Sequence, residues 1–237
     1  MKILVTGATG YIGKRLIPLL LNDGHIVVCA VRDKDRAKSY FRGRKNIELV
    51  EADFLSFTSL ESIPKDIDFA YYLIHSMSNS AKEFHVLEEK CAFNFKRFAE
   101  QTTLKQVIYL SGITNDTKLS KHLWSRKNVE NTLASKKYAL TTFKAGIIVG
   151  SGSSSFEIIR DLVEKLPAMI APKWLDTKTQ PLGIRDVLSF LHRAIGKKKL
   201  YNKSFDVFGP EVLTYKEMLL QFSEVRKLKR WIYTVPI

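Results

Sequence analysis

The sequence predicts an α/β chain built on a parallel sheet, and three observations carry that expectation. Short β-branched runs alternate with amphipathic segments as far as Gly150, which is the pattern of βαβ units. The β-branched runs are apolar with almost no polar alternation, as strands covered by helices on both faces must be. A glycine-rich turn, with Gly7, Gly10 and Gly13, follows the first of these runs directly and opens the first amphipathic segment.

Taken in order, Ile3, Leu4 and Val5 place a first strand over Lys2 to Thr6. Tyr11 to Asn22 then carries Ile12, Leu16, Leu19 and Leu20 at helical spacing and stops at Asp23-Gly24, a C-terminal helix signal. Ile26 to Val31 and Ile47 to Glu51 read as the second and third strands. Thr58-Ser59-Leu60-Glu61 has the spacing of a capping box and predicts a helix start. Further strands are expected at Phe69 to Ile74, Gln106 to Ser111 and Ala139 to Ile148, with helices at Val86 to Thr102 and Lys121 to Ser135 between them.

The character changes after Gly150. The stretch from Gly150 to Ser155 is small and polar, and the strand-helix rhythm weakens beyond it. The expected division is therefore a nucleotide-binding part over residues 1–150 and a smaller lobe over residues 151–237, interleaved with the sheet of the first. Within that lobe Thr214-Tyr215-Lys216-Glu217 is a second capping-box spacing, and it opens a helix carrying Met218, Leu219, Phe222 and Val225. The apolar end, Trp231 to Ile237, either docks on the fold or leads into a further C-terminal domain. No internal repeat is present.

Composition narrows the function classes. With 237 residues, 45% hydrophobic and 26% charged, the chain has the make-up of a globular protein with a substantial core. Its formal charge of +14 asks for an anionic partner or reflects a solvated basic surface. Lysines are scattered over nearly every helix, and basic stripes interleaved with stacking aromatics are not evident, so a specific nucleic-acid partner is not expected. Cys29 and Cys91 are too few and too far apart for a disulfide framework or a zinc pair, which points to a reducing, cytoplasmic compartment. Glycines interrupt the apolar N-terminus, and no run approaches the roughly 18 apolar residues of a membrane helix. The five histidines show no metal-ligand spacing.

The glycine turn carries the chemistry. In Val5-Thr6-Gly7-Ala8-Thr9-Gly10-Tyr11-Ile12-Gly13, Gly7 permits the tight turn, Gly10 lets the backbone approach a diphosphate, and Gly13 lets helix and strand pack closely. The backbone from Thr9 to Ile12 then lies at the phosphates, with the Gly10, Tyr11 and Ile12 amides directed at them at the positive end of a helix dipole. This is the dinucleotide turn of a Rossmann fold, a doubly wound parallel sheet. About 20 residues on, where an acid would bind the ribose 2′-hydroxyl of NAD, stands Arg32. A guanidinium there suits the 2′-phosphate of NADP. Asp33 follows immediately and leaves NAD open, while Lys34 and Arg36 pull back toward NADP. Asp53, after the third strand, either bonds the adenine amino group or caps the following turn. His75 and Ser76 end the fourth strand and Ser111 the fifth, all at the carboxyl edge of the sheet where the ligand must run.

Together these residues resemble the short-chain dehydrogenase/reductase superfamily in its extended and atypical branches. The GxxGxxG spacing, the Val31-Arg32 ending and the segments Pro181 to Val187 and Phe205 to Pro210 are similar to that group over essentially the whole chain. The nearest likeness is to NAD(P)H-binding, NmrA-like proteins and the Rossmann accessory subunit of respiratory complex I. The resemblance implies a Ser-Tyr-Lys set with Tyr and Lys in YxxxK spacing, yet the matching segment runs His122 to Glu130. His122 then occupies the tyrosine position and Arg126 the lysine position. Gly112 aligns with the serine, or Ser111 does if the register shifts by one. A neutral imidazole can relay a proton, but an arginine cannot deprotonate.

Two functions are therefore compatible with the residues. One is an NADP-dependent oxidoreductase or epimerase-like enzyme acting on a small molecule, with Ser111, His122 and Arg126 as its catalytic set. The other is a non-catalytic sensor of the nicotinamide pool or a structural accessory subunit, for which loss of the Tyr/Lys pair speaks. The polar groups remaining in the crevice favour the enzyme. The substrate and the oligomeric state are not encoded in any spacing.

Overall fold

A computed structural model describes residues 1–75, 84–113 and 121–236, with the backbone alone at 84 and at 121–125. Its contacts divide the chain into two units, Met1–Lys144 with Leu188–Asp206, and Ala145–Val187 with Val207–Ile237.

The first unit alternates strand and helix: β1 Lys2–Thr6, α1 Tyr11–Asn22, β2 Ile26–Val31, α2 Lys34–Phe41, β3 Ile47–Glu51, β4 Phe69–Tyr72, α3 Phe84–Ala99, β5 Gln106–Gly112, α4 Lys121–Leu133 and β6 Ala139–Ala145. Chain order then passes through β7 Ile148–Val149, α5 Ser154–Lys165, β8 Ala168–Pro172, β9 Lys178–Thr179, β10 Leu182–Gly183 and α6 Ile184–Ala194. It ends with β11 Lys203–Val207, β12 Leu213–Thr214, α7 Tyr215–Val225 and β13 Trp231–Val235.

The fold is α/β, with a seven-stranded sheet in the order β11-β6-β5-β4-β1-β2-β3. β1 pairs in parallel with both β2 and β4, β2 with β3, and β4 with β5. The chain winds outward from β1 through β2 and β3, then returns to β1's other side at β4. This reversal opens a crevice beyond the carboxyl ends of β1 and β4, the place where doubly wound sheets bind ligands.

Burial explains why the strands lack alternation. Leu4, Val28, Ala70, Tyr72, Val107 and Tyr109 pack with Ala92, Phe95 and Phe98 of α3 and Val129 and Leu133 of α4 in one core. The intervening residues Ile3, Val5, Val27, Cys29 and Tyr71 are buried as well, so both faces of the sheet are covered. The Tyr71 hydroxyl donates to the Leu191 carbonyl at 3.0 Å. Gln106, fully buried, is satisfied by the Thr141 hydroxyl and the Ala194 carbonyl and accepts from the Gly196 amide. Such pairing removes the cost of burying an amide side chain, about 1–3 kcal/mol when unmade.

Two expectations are corrected, and one helix is added. α2 was not expected, because its eight residues bury only Ala37 and Phe41, too short an apolar stripe to show periodicity. Thr58 to Glu61 form no capping box but a 3-10 turn over Thr58–Ser62 without a side-chain cap. The hydroxyls are committed elsewhere: Ser59 Oγ accepts from the Asp53 amide at 2.9 Å, and Thr58 pairs with Ser56 at 3.0 Å. The expected sixth strand ends at Ala145, and Ile148–Val149 instead pairs in parallel with β10.

In the second unit Val163, Met169, Ala171, Leu175, Leu219 and Ile232 form a separate core. β8 and β13 pair in parallel over five residues and bury Met169 and Ile232 on one side. The expected Thr214 box is present. Thr214 Oγ1 accepts from the Glu217 amide at 3.0 Å, and the Glu217 carboxylate accepts from the Thr214 amide at 2.6 Å. Among the described residues no helix is long and apolar enough to cross a membrane.

Candidate dinucleotide site

The turn at the head of β1 is held by backbone contacts that leave no room for side chains. Gly7 has φ +66°, and a Cβ there would stand 2.6 Å from the Leu73 carbonyl oxygen. At Gly13 a Cβ would meet the Gly7 carbonyl at 2.5 Å and the Ala8 Cα at 2.9 Å. Thr6 fixes the neighbouring strand ends, its buried hydroxyl donating to the Tyr71 carbonyl at 3.1 Å and accepting from the Leu73 amide at 3.0 Å.

The Gly10 amide closes this turn onto the Gly7 carbonyl at 2.9 Å. Gly10 is also the N-cap of α1 and is extended, with no side chain capping the helix. The amides open at the helix mouth are accordingly those of Tyr11, Ile12 and Gly13, which have no intrahelical acceptor in any helix. Thr9 and Gly10 are exposed and Tyr11 and Ile12 half-buried. An uncapped helix N-terminus in a solvent-facing crevice, approached by glycine backbone alone, fits a diphosphate.

At the end of β2, Arg32 is exposed, and Asp33 has turned to another task. Asp33 is the N-cap of α2 and accepts from the Arg36 amide at 2.8 Å. The Lys34 amide donates to Glu51 at 3.1 Å. The ammonium of Lys14, on α1, sits 3.4 Å from the centre of the Tyr40 ring. That charge, with Arg36 beside the hydroxyl, holds the Tyr40 phenol below its ordinary range. Lys14, Arg36 and Tyr40 thus form a second basic group on the first unit, which sequence spacing could not associate because they lie on two helices.

Asp53 is exposed and caps its own turn, Oδ1 accepting from the Leu55 amide at 3.0 Å. The turn-capping alternative is therefore realised, with the carboxylate still reachable by solvent. Beyond β4, His75 Nδ1 lies 2.8 Å from the Oε1 of Glu88, a carboxylate whose side chain is only 3% exposed. Ser76 and the His122 side chain lie outside the described residues.

Ser111 is buried near the end of β5. Its hydroxyl and that of Tyr109, two residues earlier on the same strand face, are buried and make no well-formed hydrogen bond among the described residues, although each lies near the other and near Arg126. The guanidinium of Arg126 reaches the Leu110 carbonyl between them at a long 3.5 Å. Burial pushes the Tyr109 phenol up, while the nearby Arg126 charge and Ser111 pull it back. Ser111 and Arg126 are thus brought together at the sheet's edge. Tyr109 and Glu88 were not anticipated, since a tyrosine in an apolar strand and a glutamate on a helix read as core and surface respectively. Burial also pushes the Cys91 thiol up to about 11, so it is no nucleophile at neutral pH.

Comparison with known proteins agrees with this geometry. Residues 7–149 match the family model described as NAD(P)H-binding. An isoflavone reductase homolog of Lupinus albus is 24% identical over 94% of this chain and 75% of its own. An uncharacterized chloroplastic protein of Arabidopsis thaliana is 42% identical over 22% of this chain, and the auxiliary protein GraX of Staphylococcus aureus 29% identical over 52%. The matches span only 19% and 40% of those two relatives. Among solved structures, the UDP-glucuronic acid 4-epimerase of Bacillus cereus in complex with NAD covers the whole chain and 86% of its own, at TM-score 0.80 and 16% identity. The epimerase Mth375 of Methanothermobacter thermautotrophicus gives 0.78 and 12% over 99% and 80%. At such identities these structures attest the fold. With its glycine turn, sheet order and family match in agreement, the chain belongs to the NAD(P)H-binding family, within the extended and atypical short-chain dehydrogenase/reductase superfamily.

Proposed function

We propose that this protein is an NADP(H)-dependent oxidoreductase or epimerase-like enzyme acting on a small molecule. The observation that carries the choice of NADP is the fate of Asp33: its carboxylate is spent on the Arg36 amide, so the exposed Arg32 is left to meet the ribose substituent. A charge-assisted hydrogen bond from Arg32 to a 2′-phosphate is worth roughly 1.5–3 kcal/mol, or about ten- to hundredfold in affinity. Lys14 and Arg36, gathered around Tyr40, add positive charge on the same unit.

In this reading Gly7, Thr9, Gly10, Tyr11, Ile12 and Gly13 receive the diphosphate, Asp53 the adenine, and His75 and Ser76 the more distant half. The bound nicotinamide would supply hydride exchange. Arg126 would hold ribose hydroxyls, Ser111 would orient a substrate oxygen, and His122, one helical turn before Arg126, would carry the proton. The Ser111 and Tyr109 hydroxyls, buried with no well-formed hydrogen bond among the described residues, favour a site that expects a polar guest. Both cysteines are free and buried, which suits a reducing compartment such as the cytoplasm.

Calorimetry with NADPH, NADH and their oxidised forms tests the cofactor, and following NADPH absorbance against ketones, quinones and nucleotide sugars tests turnover. Tight NADPH binding with turnover of one class supports the enzyme. Binding without turnover of any class leaves a nicotinamide sensor, and no heat with any dinucleotide removes both.

A further inference from the structure

Glu88 has no place in the function just described, yet it is a carboxylate buried to 3% exposure on α3. A buried charge costs several kcal/mol unless it is paired and hydrogen-bonded. Its Oε1 lies 2.8 Å from His75 Nδ1. His75 stands three residues beyond β4, on the far side of β1 from β2, and its side chain remains 37% exposed. The imidazole therefore joins a buried acid to the open crevice.

A dinucleotide laid across the reversal of strand order has its adenosine half on the β2 and β3 side, where Arg32 and Asp53 stand. Its other half falls on the β4 and β5 side. We propose that Glu88 and His75 form a positioning pair for the nicotinamide riboside, an inference that rests on the dinucleotide reading above. The carboxylate accepts a hydrogen bond from Nδ1–H and fixes the ring. Nε2 then faces the ligand as an acceptor, matched to the ribose hydroxyls and the carboxamide amino group, which are donors. The same logic makes second-layer carboxylates orient working histidines in other sites. Glu88 acts through His75 and touches no ligand itself.

Calorimetry with a pair of probes tests this. NADPH is compared with 2′-phospho-ADP, and NADH with ADP; each shorter molecule keeps the adenosine and diphosphate and lacks the nicotinamide riboside. His75→Ala should weaken the dinucleotide about tenfold and the shorter probe less than twofold. Glu88→Gln should weaken the dinucleotide about threefold with the same selectivity. Equal losses for both probes, or an unchanged dinucleotide, overturn the pairing while the dinucleotide reading stands. A wild-type protein that binds neither dinucleotide overturns that reading, and the pairing with it.

A ligand-free readout separates positioning from packing. Imidazole 15N shifts should show His75 protonated at Nδ1 in the wild type and at Nε2 in Glu88→Met, which fills similar volume without an acceptor. An identical tautomer in both would show that the carboxylate does not set it. If Glu88→Met fails to fold, the probe selectivity of His75→Ala and Glu88→Gln decides.

Discussion

The β2 and β5 ends of one sheet handle polar groups in opposite ways. Around β2, Asp33 caps α2, Lys34 donates to Glu51, and Asp53 caps its own turn. The Arg32 and Lys34 side chains are exposed there. Around β5, Tyr109 and Ser111 bury hydroxyls that make no well-formed hydrogen bond among the described residues, and Arg126 makes a long contact to a backbone carbonyl. The first region commits its carboxylates to local backbone amides and keeps its cations exposed. The second holds unmet hydrogen-bonding capacity, as a site does when part of its polar complement arrives with a ligand.

The comparison can be broken most severely at the hinge between these regions. Gly13→Val would drive a side chain into the Gly7 and Ala8 backbone and displace α1 from β1. Dinucleotide affinity should fall by more than about a hundredfold, with a lowered Tm, measured by calorimetry and thermal melting. Retained affinity would show that the diphosphate does not sit there.

Arg32→Asp comes next. Preference for NADP over NAD should reverse or vanish, a change of roughly ten- to hundredfold; unchanged relative Kd values would remove Arg32 from the 2′-phosphate. Asp33→Ala sharpens that result, because a capping residue and a ribose ligand predict different losses. Stability should drop by about 1 kcal/mol in denaturant titration while cofactor preference stays constant. A shift toward NADP would reveal Asp33 as a ribose contact after all.

The smallest effect is expected at Tyr109→Phe. Removing a buried hydroxyl with no well-formed hydrogen bond among the described residues should leave stability within about 1 kcal/mol of the wild type, or raise it. A loss beyond that in urea melts would mean that the hydroxyl is satisfied in solution, and the contrast between the two regions would weaken.

Much of this was legible in the chain itself wherever the cause is local. β1, β2 and β3 run over the residues their β-branched runs indicate, and the Gly7 to Gly13 turn declares itself because only glycine tolerates its φ and its backbone approaches. The Thr214 box is equally local, four consecutive residues bonding among themselves. At Thr58 the same spacing was present, but the Thr58 hydroxyl pairs with Ser56 instead of capping the turn. α2 escaped notice because two buried side chains do not make a period.

Sequence alone determined the α/β class, the position of the dinucleotide turn and the arginine that follows β2, since each depends on neighbours in the chain. Only tertiary structure decided that Glu88 is buried against His75, and that Arg126 reaches the strand end carrying Tyr109 and Ser111. Those facts arise from segments separated by many residues and brought together by sheet order. Burial converts an ordinary helical glutamate or strand tyrosine into an unusual one, and no spacing in the chain records it.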